Sequence, residues 1–264
     1  MSVLRPRDGS PLRIGHRGAA ALAPENTIRS FRAARAAGVD AVELDLLRLD
    51  DGSIVVAHSN DLREVSHGTA RGSVVDKDLE ALRRLCPELP TLEDALVWFV
   101  DEAPELVLHA DVKSPRAVAE VAAALERRGL AARAYVTSTN ALRLRALARR
   151  RPDVRCALTF PRSLLGLSDG GDSVVAPLAR AGLVALRAAL PLLVPMLLGL
   201  SRASGLSLHH SLVSARAVER AHARGAAVIA WTVDDPETLE RVLADGVDGV
   251  VTNDPRIFGS TLRP

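Results

Sequence analysis

Short apolar runs alternate with amphipathic stretches along almost the whole chain. The apolar runs have the length of strands and predict eight of them, at Leu12–Gly15, Ala41–Leu46, Leu106–Lys113, Ala134–Ser138, Arg155–Phe160, Leu206–His210, Ala227–Thr232 and Gly249–Thr252. The stretches between them repeat apolar residues at helical spacing and predict helices that include Thr27–Ala37, Ala117–Arg128, Ala141–Arg150, Ala215–Arg224 and Pro236–Ala244. This alternation is typical of an α/β protein with a parallel sheet. Eight repeats favour a closed barrel, and an open sheet stays the alternative.

The length of the chain agrees with one domain of this kind. A TIM (β/α)8 barrel typically takes ~250 residues. The chain has 264 residues, of which 48% are hydrophobic and 25% charged. A domain of this size buries a core without a disulfide or a structural metal. We therefore predict a single barrel domain over residues 1–264.

One predicted strand breaks the alternation. Ile54–His58 follows the second strand after a short connection that contains Asp50-Asp51-Gly52, a sequence typical of a hairpin turn. The connection is too short for a parallel crossover, so we predict an antiparallel return strand. The return brings His58 level with Glu43 and Asp45. Residues 61–91 then form a small inserted excursion before a helix at Thr91–Val100.

The segment 182–200 is nearly all apolar. It contains one charge, Arg187, and two prolines, Pro191 and Pro195. Its length approaches that of a membrane span, but interior prolines disfavour a regular spanning helix. The segment follows the fifth strand, so it belongs to a connection that leaves the carboxyl-terminal face of the predicted barrel. A lid or lipid-docking element and a buried barrel helix are the two interpretations that stay open.

Charge and composition restrict the partners. The net charge is +2, the two signs are interspersed, and aromatic residues make up only 3%. A nucleic-acid groove needs a basic surface or stacking aromatics, so we expect no nucleic-acid partner. The two cysteines, Cys86 and Cys156, indicate buried thiols of a reducing compartment. Residues 1–8 lack the apolar region of a signal peptide. We expect a cytoplasmic protein with peripheral membrane contact through residues 182–200.

Polar residues with reactive side chains follow several predicted strands, at the barrel face where active sites form. His16 and Arg17 come directly after the first strand and offer a proton carrier and a planar phosphate donor, although a solvated loop is the simpler interpretation. Pro24-Glu25-Asn26-Thr27 follows and opens a helix, with Thr27 as a candidate N-cap.

Three carboxylates occupy two neighbouring parallel strands. Glu43 and Asp45 lie two residues apart, so they point to one face of the second strand, and Asp111 lies on the next parallel strand. Carboxylates gathered at the mouth of an apolar barrel need a compensating cation or proton, and oxygen ligands suit a hard divalent ion. Lys113 adds a fixed positive charge for phosphate. A solvent-facing strand edge and a buried Asp–Lys ion pair are the alternatives.

Histidines and one tryptophan complete the candidate site. With His58 near the carboxylates, His16 and His58 flank the predicted ion as an acid–base pair for phosphodiester cleavage. Trp231 and His209 end two later strands and are candidates for the pocket wall, with a place in the core as the alternative for Trp231.

Taken together, these residues resemble the glycerophosphodiester phosphodiesterase family. The matching elements occur in the family's order over residues 13–255 and are His16-Arg17-Gly18, Pro24-Glu25-Asn26-Thr27, Glu43-x-Asp45, Asp51-Gly52 leading to His58, Asp111-x-Lys113, Trp231-Thr232-Val233 and Gly246-Val247-Asp248-Gly249. Three positions depart from the usual pattern. Ser59 follows His58 where Asp is usual, Asp111 stands where Glu is usual, and Thr139 follows Ser138 where Phe is frequent.

The resemblance implies a TIM barrel with a small inserted subdomain at about residues 60–90. It implies one Mg²⁺ or Ca²⁺ on Glu43, Asp45 and Asp111, and it implies the roles given above for the histidines, Arg17 and Lys113. The implied reaction is metal-dependent hydrolysis of glycerophosphodiesters to glycerol phosphate and an alcohol. Three alternatives stay open, namely lysophospholipase D-type activity on acylated diesters, a phospholipase C-like or sphingomyelinase reaction, and a catalytically silent lipid-binding barrel.

Overall fold

The computed structural model describes residues 3–4, 10–66, 68–161 and 176–260. Nine strands are found there, β1 Leu12–Gly15, β2 Ala41–Arg48, β3 Ile54–Val56, β4 Val107–Val112, β5 Ala134–Ser138, β6 Arg155–Phe160, β7 Gly205–His209, β8 Ala227–Trp231 and β9 Gly249–Thr252. The helices are α1 Ile28–Ala36, α2 Leu62–Val65, α3 Leu79–Leu85, α4 Leu92–Asp101, α5 Val118–Arg127, α6 Ala141–Arg150, α7 Ala176–Ser201, α8 Ala215–His222 and α9 Pro236–Ala244.

Eight parallel strands close into a barrel. The strand order β1-β9-β8-β7-β6-β5-β4-β2 returns to its start because β1 also pairs with β2, through Ile14 opposite Ala41. At the other edge β1 pairs with β9 over four residues, from Leu12 opposite Gly249 to Gly15 opposite Thr252. The closed ring excludes the open sheet, and the predicted TIM barrel is confirmed.

Alternation along each strand separates two apolar layers. Leu108, Ala110 and Val112 of β4 belong to the large cluster between the sheet and the helices. Ile14 and Tyr135 belong to a smaller cluster inside the barrel. Because successive strand side chains point to opposite faces, the residues that share the inner face line the barrel up to its mouth.

The predicted antiparallel return strand is confirmed. β3 pairs antiparallel with β2, with Leu46 opposite Val56 and Arg48 opposite Ile54. The turn between them contains Gly52 at φ 96°, a left-handed conformation that favours glycine. Beyond the ladder, Ala57 N–H donates to Asp45 C=O at 3.0 Å, so the chain enters the mouth of the barrel beside β2.

A small inserted subdomain follows the return strand. It carries α2 and α3 and packs a separate apolar cluster under them that includes Leu49, Val55, Leu62, Val74 and Leu82. The side chain of Asp61 caps α2, and the side chain of Asp78 caps α3. The insertion is thus held to the barrel wall beside β3, next to the carboxyl ends of the strands.

The apolar segment 182–200 lies within one long helix, α7. Its inner face is buried against the barrel through Leu190, Val194, Leu197 and Leu198. Its outer face is also apolar, with Leu192 77% exposed. By length and composition, Gly182–Ser201 is long and apolar enough to cross a membrane. The buried inner face makes this segment part of the barrel's helical layer.

Candidate active site

The turn after β1 has a left-handed backbone conformation at two successive residues. Arg17 and Gly18 both have left-handed backbones, at φ 51° and 89°. A side chain at Gly18 would meet Ser30 Oγ at 2.3 Å, so only glycine fits there. Ser30 Oγ donates to Arg17 C=O at 2.8 Å and accepts from Ala19 N–H at 2.8 Å. This turn places the Arg17 side chain over the mouth of the barrel.

The three predicted metal carboxylates converge. Asp45 and Asp111 are direct neighbours in the β2–β4 register, and Glu43 lies one inward-facing position before Asp45. One oxygen of each of the three residues lies within 4.8 Å of the other two. Burial, with the like charges of Asp45 and Asp111, raises the pKa of Glu43 well above its usual value.

Two cations lie against the same carboxylates. Lys113 Nζ lies 2.7 Å from Asp45 Oδ1 and 2.6 Å from Asp111 Oδ2. Arg17 Nε lies 3.1 Å from Asp45 Oδ2, and its NH1 donates to Glu25 Oε1 at 2.7 Å. Burial alone would raise the pKa of Asp45, but Lys113 and Arg17 outweigh burial and hold that pKa below its usual value.

The donor set fits a divalent cation. Three carboxylates meet only two fixed positive charges here, those of Lys113 and Arg17. Burial, and then the charges of Asp45 and Asp111, raise the pKa of Glu43. Mg²⁺ and Ca²⁺ take carboxylate oxygens, and either ion would let Glu43 ionise. Glu43, Asp45 and Asp111 are therefore the residues that can hold such an ion.

Asn26 supports the metal carboxylates from behind. Its Nδ2 donates to Asp45 Oδ2 at 2.9 Å, and its Oδ1 accepts from Asp45 N–H at 3.2 Å. Asn26 is buried and has a left-handed backbone at φ 57°. The next residue, Thr27, accepts from Ser30 N–H at 3.1 Å and caps α1, as predicted. The segment before α1 therefore serves both the helix and the site.

His16 is oriented by the opposite end of the chain. Its Nδ1 lies 2.7 Å from Asn253 Oδ1, and Asn253 in turn donates through Nδ2 to Asp234 Oδ2 at 2.6 Å. Because an amide oxygen only accepts, Nδ1 carries the proton and Nε2 is free to accept one. Nε2 faces Glu43 Oε2 at 4.0 Å. Burial and the charge of Arg17 lower the pKa of His16 to about 4, so the ring is neutral at neutral pH.

His58 is oriented by the insertion. Its Nδ1 lies 2.7 Å from Glu64 Oε1, and Ser59 Oγ donates to Glu64 Oε2 at 2.7 Å. A carboxylate only accepts, so Nδ1 donates and Nε2 is free. Burial opposes ionisation of Glu64, but the hydrogen bonds from Ser59 and His58 outweigh burial and lower its pKa. Ser59, the departure from the family pattern, therefore helps to hold Glu64.

Trp231 and His209 lie side by side at the carboxyl ends of β8 and β7. Their rings are 5.1 Å apart in an edge-to-face arrangement. Trp231 Nε1 is buried without a hydrogen-bond partner, and burial with the neighbouring His210 lowers the pKa of His209 to about 4. No hydrogen bond or ion pair within the described part of the chain joins them to the carboxylates. Their predicted role as a pocket wall stays a prediction.

A cleft of about 290 Å³ opens beside His58, between the insertion and the start of α1. Val56, Val65 and Leu89 line it with apolar surface, and Glu25 and Glu64 add carboxylates beside His58. His58 and its partner Glu64 thus both form part of the wall of this cleft.

Comparisons with known proteins decide the family. The family model that describes the glycerophosphoryl diester phosphodiesterase family matches residues 16–257. The chain belongs to that family. A glycerophosphodiester phosphodiesterase of Caldanaerobacter subterraneus is 26% identical and aligns with 95% of this chain and 97% of its own length. The chain is therefore an enzyme, a phosphoric diester hydrolase of a family that acts on glycerophosphodiesters.

Solved structures show the same fold. The glycerophosphodiester phosphodiesterase of Thermotoga maritima superposes with a TM-score of 0.70 at 22% identity, over 94% of this chain and 97% of that one. A phosphodiesterase of Oleispira antarctica was solved with the product sn-glycerol-3-phosphate. It superposes with a TM-score of 0.69 at 21% identity, over 96% of this chain and 97% of that one. At these identities the likeness establishes the barrel alone.

Sequence reasoning missed the two residues that orient the histidines. Glu64 lies in the insertion, which no periodic pattern describes, and the sequence holds no signal that sets this glutamate apart. Asn253 carried a signal, because Thr252-Asn253-Asp254-Pro255 follows the last strand directly. That position is the face of the barrel where His16 lies.

Proposed function

We propose that the enzyme hydrolyses glycerophosphodiesters with one Mg²⁺ or Ca²⁺ held by Glu43, Asp45 and Asp111. His16 and His58 serve as the acid–base pair. The observation that carries the proposal is the orientation of these two imidazoles. Each has its Nδ1 fixed by an oxygen acceptor, which leaves Nε2 of both rings free for proton transfer.

The charges around the carboxylates suit an anionic diester. Arg17 and Lys113 supply fixed positive charge for the phosphate, and the bound cation would polarise the phosphoryl group as a Lewis acid. His16 is neutral at neutral pH and is suited to accept the proton of the attacking hydroxyl. His58, protonated on Nε2 as well as on the Nδ1 that Glu64 holds, then donates its Nε2 proton to the leaving oxygen. One water is consumed for each diester, and glycerol phosphate and an alcohol are released.

Two observations support the choice of substrate. The Oleispira antarctica relative holds sn-glycerol-3-phosphate as its product, which supports glycerol phosphate as a product here. The cleft beside His58 offers space for the leaving alcohol next to the residue that we propose as its proton donor, which supports the choice of substrate. The attacking hydroxyl is that of water or of the substrate's own glycerol, in which case a cyclic phosphate forms first and water opens it.

A second candidate is lysophospholipase D-type activity on an acylated, membrane-borne diester. The apolar outer face of α7 favours it, since such a substrate is presented at a lipid surface. A silent lipid-binding barrel is disfavoured by membership of an enzyme family. A location in the cytoplasm with peripheral membrane contact stays part of the proposal.

Release of glycerol phosphate or lysophosphatidic acid tests both candidates. Glycerophosphocholine and lysophosphatidylcholine are compared with Mg²⁺, Ca²⁺ and EDTA, for the wild type and for the His16→Ala variant. We expect metal-dependent turnover that His16→Ala abolishes, while His222→Ala, a histidine on the outer helix α8, retains it. Cleavage of the acylated substrate alone would select the second candidate. A cyclic phosphate as the final product would instead indicate the phospholipase C-like reaction.

A further inference from the structure

The outer face of α7 is apolar without interruption. Val184, Ala188, Leu192, Met196 and Leu200 follow one another at every fourth position, and all five are exposed. This spacing places them in one inclined row, which turns about 40° at each step across the exposed side of the helix and is about 24 Å long at 1.5 Å per residue. We call these five residues the α7 ridge.

The ridge is the main exposed apolar surface of the described residues. The large hydrophobic residues with the greatest exposure there are Leu192 at 77%, Val184 at 70%, Leu142 at 65% and Met196 at 58%. Three of them belong to the ridge, and Leu142 lies on the neighbouring helix α6. Soluble monomers rarely expose a continuous apolar surface of this length, so the ridge indicates a binding face.

Arginines are concentrated in α7 and in α6 and α8, the two helices that contact it. The helices α6, α7 and α8 together carry eight arginines and one acidic residue, Glu219. The whole chain has a net charge of only +2, so the rest of the protein is net negative. Arg145 of α6 donates to Gly199 C=O at 3.2 Å, which places its side chain at the edge of the ridge. Among the described residues, Arg143, Arg149 and Arg216 have no carboxylate partner.

We propose that the face formed by α6, α7 and α8 docks on an anionic lipid bilayer. The ridge inserts among the acyl chains, and the bordering arginines contact anionic headgroups, the arrangement found in helices that lie in a membrane interface. Each arginine brought to an anionic surface strengthens partitioning about five-fold. The carboxyl ends of β6 and β7, which adjoin α7, would then stand beside the bilayer, so that edge of the mouth receives substrate from it.

The positive charge of this face favours an anionic bilayer over a second copy of the chain as its binding partner. A two-fold contact through the ridge would place the same face against itself. The arginines of α6 and α8 would then oppose arginines of the second copy, with Glu219 as the one acidic residue of these helices to compensate. An anionic bilayer offers the complementary charge along the whole face.

Vesicle flotation tests the proposal. The experiment is done in EDTA, where the proposed metal-dependent hydrolysis does not occur, so its outcome is independent of that hydrolysis. Vesicles of phosphatidylcholine are compared with vesicles that contain about 30% phosphatidylglycerol. We expect the wild type to bind the anionic vesicles, and to lose binding at about 0.5 M salt. Leu192→Gln with Met196→Gln should weaken binding at least about ten-fold, since each buries an apolar side chain in the bilayer.

Two further variants complete the test. Arg143→Gln with Arg216→Gln should weaken binding to the anionic vesicles by more than ten-fold, at about five-fold per arginine. Val97→Gln with Val100→Gln, which alters two partly exposed valines of α4, should leave binding unchanged. Equal binding by the Leu192 and Met196 variant overturns the proposal. The proposal is also overturned if the wild type does not bind vesicles and instead forms a dimer in light scattering. If the Leu192 and Met196 variant abolishes that dimer, the ridge is a subunit interface.

Discussion

His58 Nδ1 lies 2.7 Å from Glu64 Oε1, and this contact joins the barrel to its insertion. His58 follows the return strand β3, whereas Glu64 lies in the first short helix of the insertion, α2. Ser59 Oγ fixes the second carboxylate oxygen, so Glu64 is held from two sides. The insertion therefore engages Nδ1 of His58 and leaves Nε2 as its free nitrogen.

Loss of the Glu64 carboxylate should lower kcat. Glu64→Ala removes the acceptor that orients His58, and we expect a fall of about 10- to 100-fold, below the ~10²–10⁴ that general acid–base catalysis supplies in full. Glu64→Gln keeps an oxygen acceptor and should be less affected. Steady-state kinetics on glycerophosphocholine measures this, with Glu80→Gln in the same insertion as the matched control.

Glu64→Ala combined with His58→Ala extends the experiment. Because Glu64 acts through His58, the double variant should be no slower than His58→Ala alone. Independent, multiplicative losses would show that Glu64 acts on something other than His58.

Glu43→Gln should stabilise the metal-free protein. Burial and two like charges raise the pKa of Glu43, so its folded form binds a proton more tightly than its unfolded form. Its ionisation therefore costs stability as pH rises above the usual glutamate range. In EDTA at neutral pH the variant should melt several degrees higher than the wild type. It should also gain less from added Mg²⁺ or Ca²⁺.

The matched control for Glu43→Gln is Glu105→Gln, a surface carboxylate paired with Arg35. Differential scanning fluorimetry with and without metal gives both comparisons. If the Glu43→Gln variant melts below the wild type in EDTA, ionised Glu43 does not destabilise the metal-free protein, and the prediction is wrong.

Asn26→Ala should destabilise the protein more than Asn26→Gly. Both variants lose two hydrogen bonds to Asp45 in a buried position, which costs about 2–4 kcal/mol in the free energy of unfolding. Alanine must also adopt φ 57°, at about 1 kcal/mol more than glycine. Urea unfolding in EDTA separates the two contributions. Equal stability of the two variants would show that the left-handed backbone relaxes.

His209 should make the protein sensitive to acid. Burial and His210 lower its pKa from 6.5 to about 4, so between these values the unfolded chain binds a proton that the folded chain does not. Stability is therefore unaffected above pH 6.5 and falls as pH drops toward 4. One proton is involved, so the slope stays below about 1.4 kcal/mol per pH unit, and the partial exposure of His209 reduces it further.

His209→Gln lacks this titration, and its unfolding free energy should fall less steeply with acid. Urea unfolding of both proteins across the same window gives the comparison. Parallel curves for the wild type and the variant would rule out His209 as the group responsible.

The barrel and the carboxylate cluster follow from local rules. Glu43 and Asp45 share a strand face because strand side chains alternate, and Asp111 joins them because β2 and β4 pair in parallel with Asp45 opposite Asp111. The hairpin to His58 follows from the glycine turn and the short connection. Each step uses residues that are close in sequence or strands that adjoin, which is why the sequence was sufficient.

The contacts that orient the two histidines do not follow from such local rules. Glu64 lies in the short helix α2, and residues 59–61 between His58 and α2 form an irregular turn that brings the two together. Hydrophobic periodicity does not describe such a turn. Asn253 meets His16 across 237 residues, after the barrel has closed. The buried and exposed faces of α7 could not be predicted from the sequence either, because an apolar run does not indicate which residues face the barrel. Leu197 and Leu198 are buried, whereas Leu192 is exposed.

Barrel closure has a consequence for a chain still on the ribosome. A nascent chain that has released everything up to β8 already carries both histidines and all three carboxylates, yet it lacks Asn253 and the strand that seals β1. His16 has no orienting partner at that stage. Since synthesis proceeds from the N-terminus, the arrangement that we propose for catalysis is complete only when the final strand docks. On that proposal, a partly made enzyme is inert toward the diesters around it.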